Sequence, residues 1–179
     1  GPSEFLAAEL GLSGPAMTIS TACSSSAKAL LTGRRLMRLG VCDAAIVGGA
    51  DTLSRFTVAG FGALDAISPE LTNPMSKNRK GINIGEGAAL FLMTREGGPV
   101  RLLGGGASAD AHHVSAPDPT GTGAEDSMRA ALRDASIDAA DVDYLNLHGT
   151  ATPQNDAMES QAVARVFERP VSASSTKPL

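Results

Sequence analysis

Tryptophan is absent from this 179-residue sequence, and tyrosine occurs once. Aromatic residues make up only 3% of the chain, which leaves too few rings for a surface that stacks nucleic-acid bases. Basic residues are also scarce, because 15 lysines and arginines stand against 19 aspartates and glutamates, a net charge of −4. Nucleic-acid binders usually carry a basic excess, so the composition argues against nucleic acid as a partner.

Potential metal ligands are equally few. The only cysteines are Cys23 and Cys42, and neither has a second cysteine or a histidine at the spacing of a zinc site. His112 and His113 are adjacent, and neighbouring side chains on a strand point to opposite faces, which makes them poor ligands of a common ion. The sequence therefore predicts no metal site.

Long apolar runs are missing as well. No stretch of 18 uninterrupted apolar residues occurs, and the amino terminus has no basic start followed by an apolar segment. We expect a cytoplasmic, reduced protein with no membrane partner. An initiating methionine is also lacking, which suggests a piece of a longer chain.

The hydrophobic fraction of 42%, together with 20 glycines, is typical of a globular chain with tight turns.

The apolar pattern alternates between short strands and helices, which is typical of an α/β fold with parallel strands buried by helices on both faces. Strands are predicted at 16–20, 44–47, 88–93, 100–103, 142–147 and 170–175. Helices are predicted from Ser24 to Gly40, within 51–76, around 128–135 and from about residue 156 to 167. Asn155 or Asp156 is expected to cap the last helix.

Cys23 stands where the first predicted strand passes into a helix. Unpaired backbone N–H groups and the helix dipole favour an anion at such a position, and therefore a nucleophilic thiolate. The alternative is a small, buried and inert cysteine, which is the more common fate of a free thiol. Residue type alone leaves both interpretations open.

Two further reactive side chains occupy equivalent positions. His148 and Lys177, like Cys23, each follow the carboxyl end of a predicted strand, and the reactive crevice of an open α/β sheet lies at that edge. A thiolate, an imidazole and an ammonium group together can perform acyl chemistry, in which cysteine takes the acyl group as a thioester. The spacing alone leaves the reaction open.

Four motifs in order point to a known family. Thr-Ala-Cys-Ser-Ser-Ser at 21–26, Gly-Glu-Gly at 85–87, His-Gly-Thr-Ala-Thr-Pro at 148–153 and Ser-Ser-Thr-Lys at 174–177 closely resemble the β-ketoacyl-acyl carrier protein synthases, the ketosynthases of the thiolase superfamily. The resemblance extends over nearly the whole chain. It implies an incomplete thiolase-like, layered α/β/α fold, with residues 1–98 as the end of the amino-terminal pseudo-repeat and 99–179 as the start of the second.

The resemblance also implies a reaction, the decarboxylative Claisen condensation of fatty-acid or polyketide synthesis, including aryl-polyene pathways. Cys23 would then take the acyl group from an acyl carrier protein, and His148 would assist decarboxylation of the malonyl group and stabilise the enolate. Lys177 would supply a fixed positive charge, with Glu159 as a supporting carboxylate. Thr150 and Thr152 match threonines that bind the phosphopantetheine arm, and Phe61 resembles an aromatic residue of the acyl pocket.

The family further implies a homodimer with the acyl carrier protein as a transient partner. No cofactor of its own is expected, because the carrier protein brings the phosphopantetheine. Lys80 departs from the family, which commonly has an aspartate there. The family's second catalytic histidine and a later loop with another oxyanion donor are expected beyond Leu179, so we expect the chain alone to be inactive.

Two other functions stay open. A non-condensing partner subunit would resemble the chain-length factors paired with some ketosynthases, which typically lack the cysteine that this chain has as Cys23. A cysteine hydrolase of the Cys–His type would release free acid, and it has no obvious task for Lys177.

Overall fold

The computed structural model describes residues 1–178, which fall into two compact units. Unit 1 comprises Gly1–Thr52 and Glu86–Arg101, and unit 2 comprises Leu53–Gly85 and the chain from Leu102 onward. Both contain helices and strands, as the α/β prediction requires.

Unit 1 is built from a helix packed on a two-stranded sheet. Its elements in chain order are α1 (Pro2–Glu9), α2 (Ser25–Arg38), β1 (Ala44–Asp51) and β2 (Gly87–Thr94). The two strands are antiparallel, with Ala44 opposite Thr94. Helix α2 lies very close to β1, because a Cβ atom added to Gly33 would stand 2.5 Å from Cγ1 of Val47. Met37 and Val47 are the buried apolar side chains at this contact.

The carboxyl end of α2 follows the sequence expectation. The helix ends at Arg38 with Leu39 as the C-cap, and Gly40 has a φ of 72°. That left-handed conformation is the usual way to terminate a helix, and glycine adopts it without a Cβ clash.

Unit 2 combines three helices with a short parallel strand pair. Its elements are α3 (Arg55–Ala63), α4 (Thr122–Ala135), a 3₁₀ turn (Ala139–Asp141), β3 (Tyr144–Asn146), α5 (Pro153–Val166) and β4 (Ser172–Ser174). Strands β3 and β4 run parallel, with Asn146 opposite Ser174. Helices α4 and α5 pack together. Ala162, Val166 and Phe167 are buried at the carboxyl-terminal half of α5 and just beyond it.

Two of the predicted strands are not formed. Residues 16–20 and 100–103 belong to no strand of the structure. An extended segment becomes a strand only when a neighbouring backbone supplies hydrogen-bond partners, and within residues 1–178 no strand pairs with either segment. Apolar and β-branched residues signal where a strand can form, but they do not supply its neighbour.

The prediction of parallel strands buried on both faces is wrong for β1 and β2. They are antiparallel, and α2 covers only one face of the pair. On the opposite face Ile46, Leu90 and Leu92 are 37%, 52% and 70% exposed. The apolar run at 44–47 is typical of a strand that helices cover on both faces. Composition alone, however, does not show how many faces of a strand a helix covers.

The start of α5 also differs from the prediction. Thr152 is the N-cap and Pro153 is the first helical residue, so Asn155 and Asp156 lie inside the first turn. Proline suits this position, because its φ is already helical and it has no N–H to leave unpaired.

No helix within residues 1–178 combines the length and apolar character needed to cross a membrane.

Candidate active site

The parallel pair β3 and β4 brings His148 and Lys177 to the same edge. Leu147 continues the pairing, since its N–H donates to the carbonyl of Ser174 at 2.8 Å. Beyond that point Nζ of Lys177 lies 3.4 Å from Nδ1 of His148 and also donates to the His148 carbonyl oxygen. Both strands end at this edge because they run in the same direction, which places the two side chains together.

Glu159 holds the backbone on the other side of His148. Its carboxylate accepts hydrogen bonds from the N–H groups of His148 at 2.6 Å and Gly149 at 2.9 Å. Glu159 lies one helical turn after Asn155 on α5, and the Asn155 amide donates to the same carboxylate at 3.4 Å. The turn that follows β3 is therefore tied to helix α5 by charge-assisted hydrogen bonds.

The surroundings of His148 lower the pKa of its imidazole. Partial burial lowers the pKa of His148, and the nearby ammonium group of Lys177 lowers it further. The carboxylates of Glu159 and Asp156 act in the opposite direction without reversing the shift. Burial disfavours the charged ring, and a like charge at close range does the same. Although part of the His148 side chain is exposed to solvent, burial and the nearby positive charge both lower its pKa.

Thr150 and Thr152 lie together on the same turn. Their hydroxyl oxygens are 2.8 Å apart, and the N–H of Thr152 donates to Oγ1 of Thr150 at 3.4 Å. Both are partly buried. The two hydroxyl groups thus form a small polar pair within a few residues of His148, available to hydrogen-bond a polar chain.

Asp156 is a residue of this region that the sequence reasoning missed. It was interpreted as a helix cap, but its side chain is only 2% exposed, and it accepts from the N–H of Ala151 at 3.1 Å and of Met75 at 2.7 Å. A carboxylate in the first turn of a helix is a common surface feature. No local signal distinguishes a buried one, because Met75 lies 81 residues away in the chain.

Cys23 is exposed and lies in unit 1, two residues before α2. The preceding Ala22 has a φ of 54°, a left-handed conformation that costs a non-glycine residue roughly 1–2 kcal/mol. Hydrogen bonds hold this turn, since Ser25 donates from its N–H to the Ala22 carbonyl at 3.0 Å and accepts at its hydroxyl from Thr21 N–H at 2.8 Å. The thiol therefore stands on a strained, tightly bonded turn at a helix start, and the buried alternative is wrong for Cys23.

The remaining predicted residues lie elsewhere. Phe61 is half-buried on α3 in unit 2, outside the hydrogen-bonded cluster of described residues around His148. His112 and His113 lie in an irregular loop rather than a strand, where Nδ1 of His113 accepts from Ser115 N–H at 3.2 Å. The part of the chain that the structure describes contains no group of three acidic, histidine or cysteine residues able to hold a metal ion.

Two family models match the sequence. Residues 2–97 match "Beta-ketoacyl synthase, N-terminal domain", and residues 100–179 match "Beta-ketoacyl synthase, C-terminal domain". Among curated relatives, Nodulation protein E of Rhizobium meliloti is 39% identical over 88% of this chain and 41% of its own length. The 3-oxoacyl-[acyl-carrier-protein] synthase 2 of Vibrio harveyi is 35% identical over 94% of this chain and 45% of its own length.

Solved structures give the same picture. A chain of the structure titled "Ketosynthase (ApeO) in Complex with its Chain Length Factor (ApeC) from Xenorhabdus doucetiae" is 52% identical with a TM-score of 0.97, and the match covers 99% of this chain and 45% of that one. A second match, with 27% identity and a TM-score of 0.91, is titled as a type II PKS acyl-carrier protein in complex with its ketosynthase bound to the hexaketide, and it covers 98% of this chain and 48% of that one. The chain spans less than half the length of each of these relatives.

Proposed function

The chain belongs to the β-ketoacyl synthase family, and from this premise we propose that it carries the acyl-accepting and decarboxylating residues of a 3-oxoacyl-acyl carrier protein synthase. The fold prediction is confirmed, because these residues have part of the thiolase-like α/β fold of solved ketosynthases. The observation that supports the proposed activity best is the contact of His148 with Lys177, on a turn that Glu159 holds by its backbone, where the pKa of His148 is lowered by burial and by the lysine.

In the first half-reaction Sγ of Cys23 attacks the carbonyl carbon of an acyl thioester on a carrier protein. A new C–S bond forms at Cys23, the bond to the carrier's sulfur breaks, and the carrier leaves as a thiol with the proton that Cys23 gave up. The exposed thiol just before the start of α2 is accessible for this attack.

In the second half-reaction a malonyl thioester loses carbon dioxide. The C–C bond to the carboxylate breaks, and its electron pair passes into an enolate of the thioester. The enolate carbon then attacks the acyl carbonyl on Cys23, forms the new C–C bond and expels the Cys23 thiolate. A neutral imidazole at His148 can donate a hydrogen bond to the developing enolate oxygen, which is where preorganised donors act most strongly.

Lys177 and Glu159 serve this step by position and charge. Burial lowers the pKa of His148, and the Lys177 ammonium, which contacts His148 directly, lowers it further. Glu159 fixes the backbone that carries the ring. The hydroxyl pair of Thr150 and Thr152 suits the amide groups of a phosphopantetheine arm, and Phe61 is the proposed apolar contact for the acyl chain.

The proposed partners follow from the same reaction. The substrates are an acyl group and a malonyl group on acyl carrier proteins, so the phosphopantetheine arrives with the partner and the enzyme needs no cofactor of its own. A homodimer in the cytoplasm, in fatty-acid or polyketide synthesis, is the proposed setting. Its support is the likeness to synthases of that kind, among them the enzyme of Vibrio harveyi.

Intact-mass analysis tests the proposal at its first step. The protein is mixed with an acyl-acyl carrier protein, and peptide mapping then locates the acyl group. We expect acylation at Cys23, loss of labelling in Cys23→Ala, and unchanged labelling in the matched control Cys42→Ala. The second step is tested in a chain extended to the length of the relatives, because the 179 residues alone are expected to be inactive. Release of carbon dioxide from malonyl-acyl carrier protein is measured there, and we expect it to fall in His148→Ala.

Each other result contradicts the proposal in a recognisable way. Acylation of Cys42 equal to that of Cys23 would mean that the turn before α2 does not make Cys23 the more reactive cysteine. Release of free acid without condensation would indicate a cysteine hydrolase, and decarboxylation without acylation would indicate a partner subunit that does not condense.

A further inference from the structure

The buried carboxylate of Asp156 joins two segments that are far apart in the chain. One of its oxygens accepts from the N–H of Ala151 at 3.1 Å, and the other accepts from the N–H of Met75 at 2.7 Å. The side chain is 2% exposed. A charge withdrawn so far from water needs both hydrogen bonds and an opposite charge to be stable.

Arg79 supplies that opposite charge. Its Nε lies 3.7 Å from an Asp156 carboxylate oxygen, is itself buried and has no hydrogen-bond partner among the described residues. The two remaining nitrogens of the fork donate to the carbonyl of Ser76 at 2.9 Å and to the carbonyl of Pro153 at 3.3 Å. A single guanidinium group therefore bridges the 73–81 loop and the start of α5.

The turn between these anchors is conformationally costly. Ala151 is fully buried with a φ of 60°, and its carbonyl accepts from the N–H of Gly81 at 2.9 Å. A non-glycine residue keeps a left-handed conformation only when its surroundings hold it there. The Asp156 carboxylate and the Gly81 N–H together hold both polar groups of the Ala151 backbone.

We propose that Arg79 and Asp156 form a positioning pair. The pair fixes the turn at 149–152 through the backbone of Ala151, while Glu159 fixes it at His148. This inference rests on the proposed function. Neither residue touches the reacting groups, but the pair determines where the His148 ring and the hydroxyl groups of Thr150 and Thr152 stand. Displacement of a catalytic group by about 1 Å can cost about 100-fold in rate, so a pair that holds the backbone of Ala151, three residues after His148, has a measurable effect.

Substitutions that keep the volume or the charge separate this role from general stability. Arg79→Lys retains one positive charge but loses the fork that reaches both carbonyls, and Asp156→Asn keeps the shape but loses one of two acceptors for backbone N–H groups. Lys77→Gln is the matched control, because Lys77 is an exposed cation in the same basic run.

Because the 179 residues alone are expected to be inactive, each variant and the unmodified protein are made in a chain extended to the length of the relatives. They are compared at equal folded fraction, measured by far-ultraviolet circular dichroism. We expect Arg79→Lys and Asp156→Asn to lower malonyl decarboxylation about tenfold, while acylation of Cys23, which depends on its own turn in unit 1, stays within about twofold. The amide resonances of Gly149 and Ala151 in ¹H–¹⁵N spectra should move in both variants and stay in place in Lys77→Gln.

The experiment separates failure of the positioning role from failure of the proposed function. If the unmodified protein does not decarboxylate malonyl thioesters, the proposed function fails, and the amide resonances alone still decide the positioning role. Unmoved resonances in Arg79→Lys and Asp156→Asn would overturn the inference. An equal loss of acylation and decarboxylation would also overturn it, because both steps fall together when a residue supports only the folded state.

Discussion

At the residue scale, the candidate site depends on a histidine whose charge is controlled by its neighbours. His148 lies between a cation, Lys177, and two carboxylates, and the combined effect of burial and the cation prevails, which leaves its pKa lowered. The ring is then a hydrogen-bond donor and acceptor at neutral pH rather than a cation. That state suits a residue that meets a negatively charged malonyl group and must act on the enolate left behind.

Replacement of Lys177 tests this electrostatic arrangement. Lys177→Gln removes the like charge that lies 3.4 Å from Nδ1, so we expect the pKa of His148 to rise toward its ordinary value of 6.5. As the pH is lowered, any step that needs the neutral ring should then lose activity at a higher pH than it does in the unmodified protein. Titration of the imidazole resonances by NMR measures the shift, with Lys77→Gln as the control. An unchanged or lower value would contradict the assigned cause.

Residue-scale features were unevenly accessible to sequence reasoning. The positions of His148 and Lys177 after predicted strands could be identified, because strand ends are signalled locally by apolar residues followed by glycine and polar residues. The Arg79–Asp156 pair could not, because a contact across a separation of 77 positions leaves no periodic trace. Arg79 lies in the basic run Lys77–Lys80, a composition typical of a surface segment, yet its Nε is buried.

At the element scale, the close approach of α2 to β1 supports the turn that bears Cys23. Two glycines make the approach possible, since a Cβ on Gly33 would lie 2.5 Å from Val47 Cγ1, and one on Gly49 would lie 2.2 Å from Ser26 Oγ. Helix α2 is 14 residues long and begins directly after the nucleophile turn. Its packing therefore controls where the thiol stands within unit 1.

Two helical glycines allow a matched test of this packing. Alanine is a better helix former than glycine by up to about 1 kcal/mol, so Gly60→Ala on α3, where a Cβ would meet nothing within 4 Å, should raise the free energy of unfolding. Gly33→Ala should instead lower it by about 1–3 kcal/mol, because the added methyl group overpacks the contact with Val47. Urea denaturation measures both changes.

A double variant supplies the control for the Gly33 prediction. Combining Gly33→Ala with Val47→Ala should cost less than the sum of the two single changes, since the shortened side chain makes room for the new methyl group. Strictly additive losses would show that the alanine acts somewhere other than at the contact with β1.

At the scale of the whole molecule, much apolar surface is exposed to solvent. Only six apolar residues are buried among those that the structure describes: Met37, Val47, Ala151, Ala162, Val166 and Phe167. On the β1–β2 pair, the register puts Leu92 opposite Ile46 and Leu90 opposite Gly48, all on the face away from α2. This produces a contiguous apolar surface of a kind that folded monomers rarely expose.

The exposed face has a measurable consequence for the 179-residue chain. We expect it to bind the fluorescent dye ANS and to associate at micromolar concentration, and the double variant Leu90→Thr/Leu92→Thr to reduce both effects. Threonine is β-branched, and strands favour such residues, so the sheet should persist. Val114→Thr is the control, because Val114 is 98% exposed in a loop of unit 2. Equal dye binding in both variants would place the responsible surface elsewhere.

The sequence by itself determined most of the elements and where the candidate residues lie relative to them. Local patterns predicted helix α2 and its glycine stop, strand β2, the amphipathic α4, and the positions of His148 and Lys177 beyond strand ends. They also predicted Cys23 just before a helix, but the strand expected ahead of it is not formed. These features are encoded within a few consecutive residues, by hydrophobic periodicity, by residues that end helices and by short motifs.

Only the tertiary structure decided which strands found partners and which polar groups were buried. It left 16–20 and 100–103 outside any strand, made β1 and β2 antiparallel, and brought Asp156 to Arg79 and Met75. Strand pairing and the burial of a charge depend on groups far away in the chain, and the free energy of either is set by the partner rather than by the residue itself.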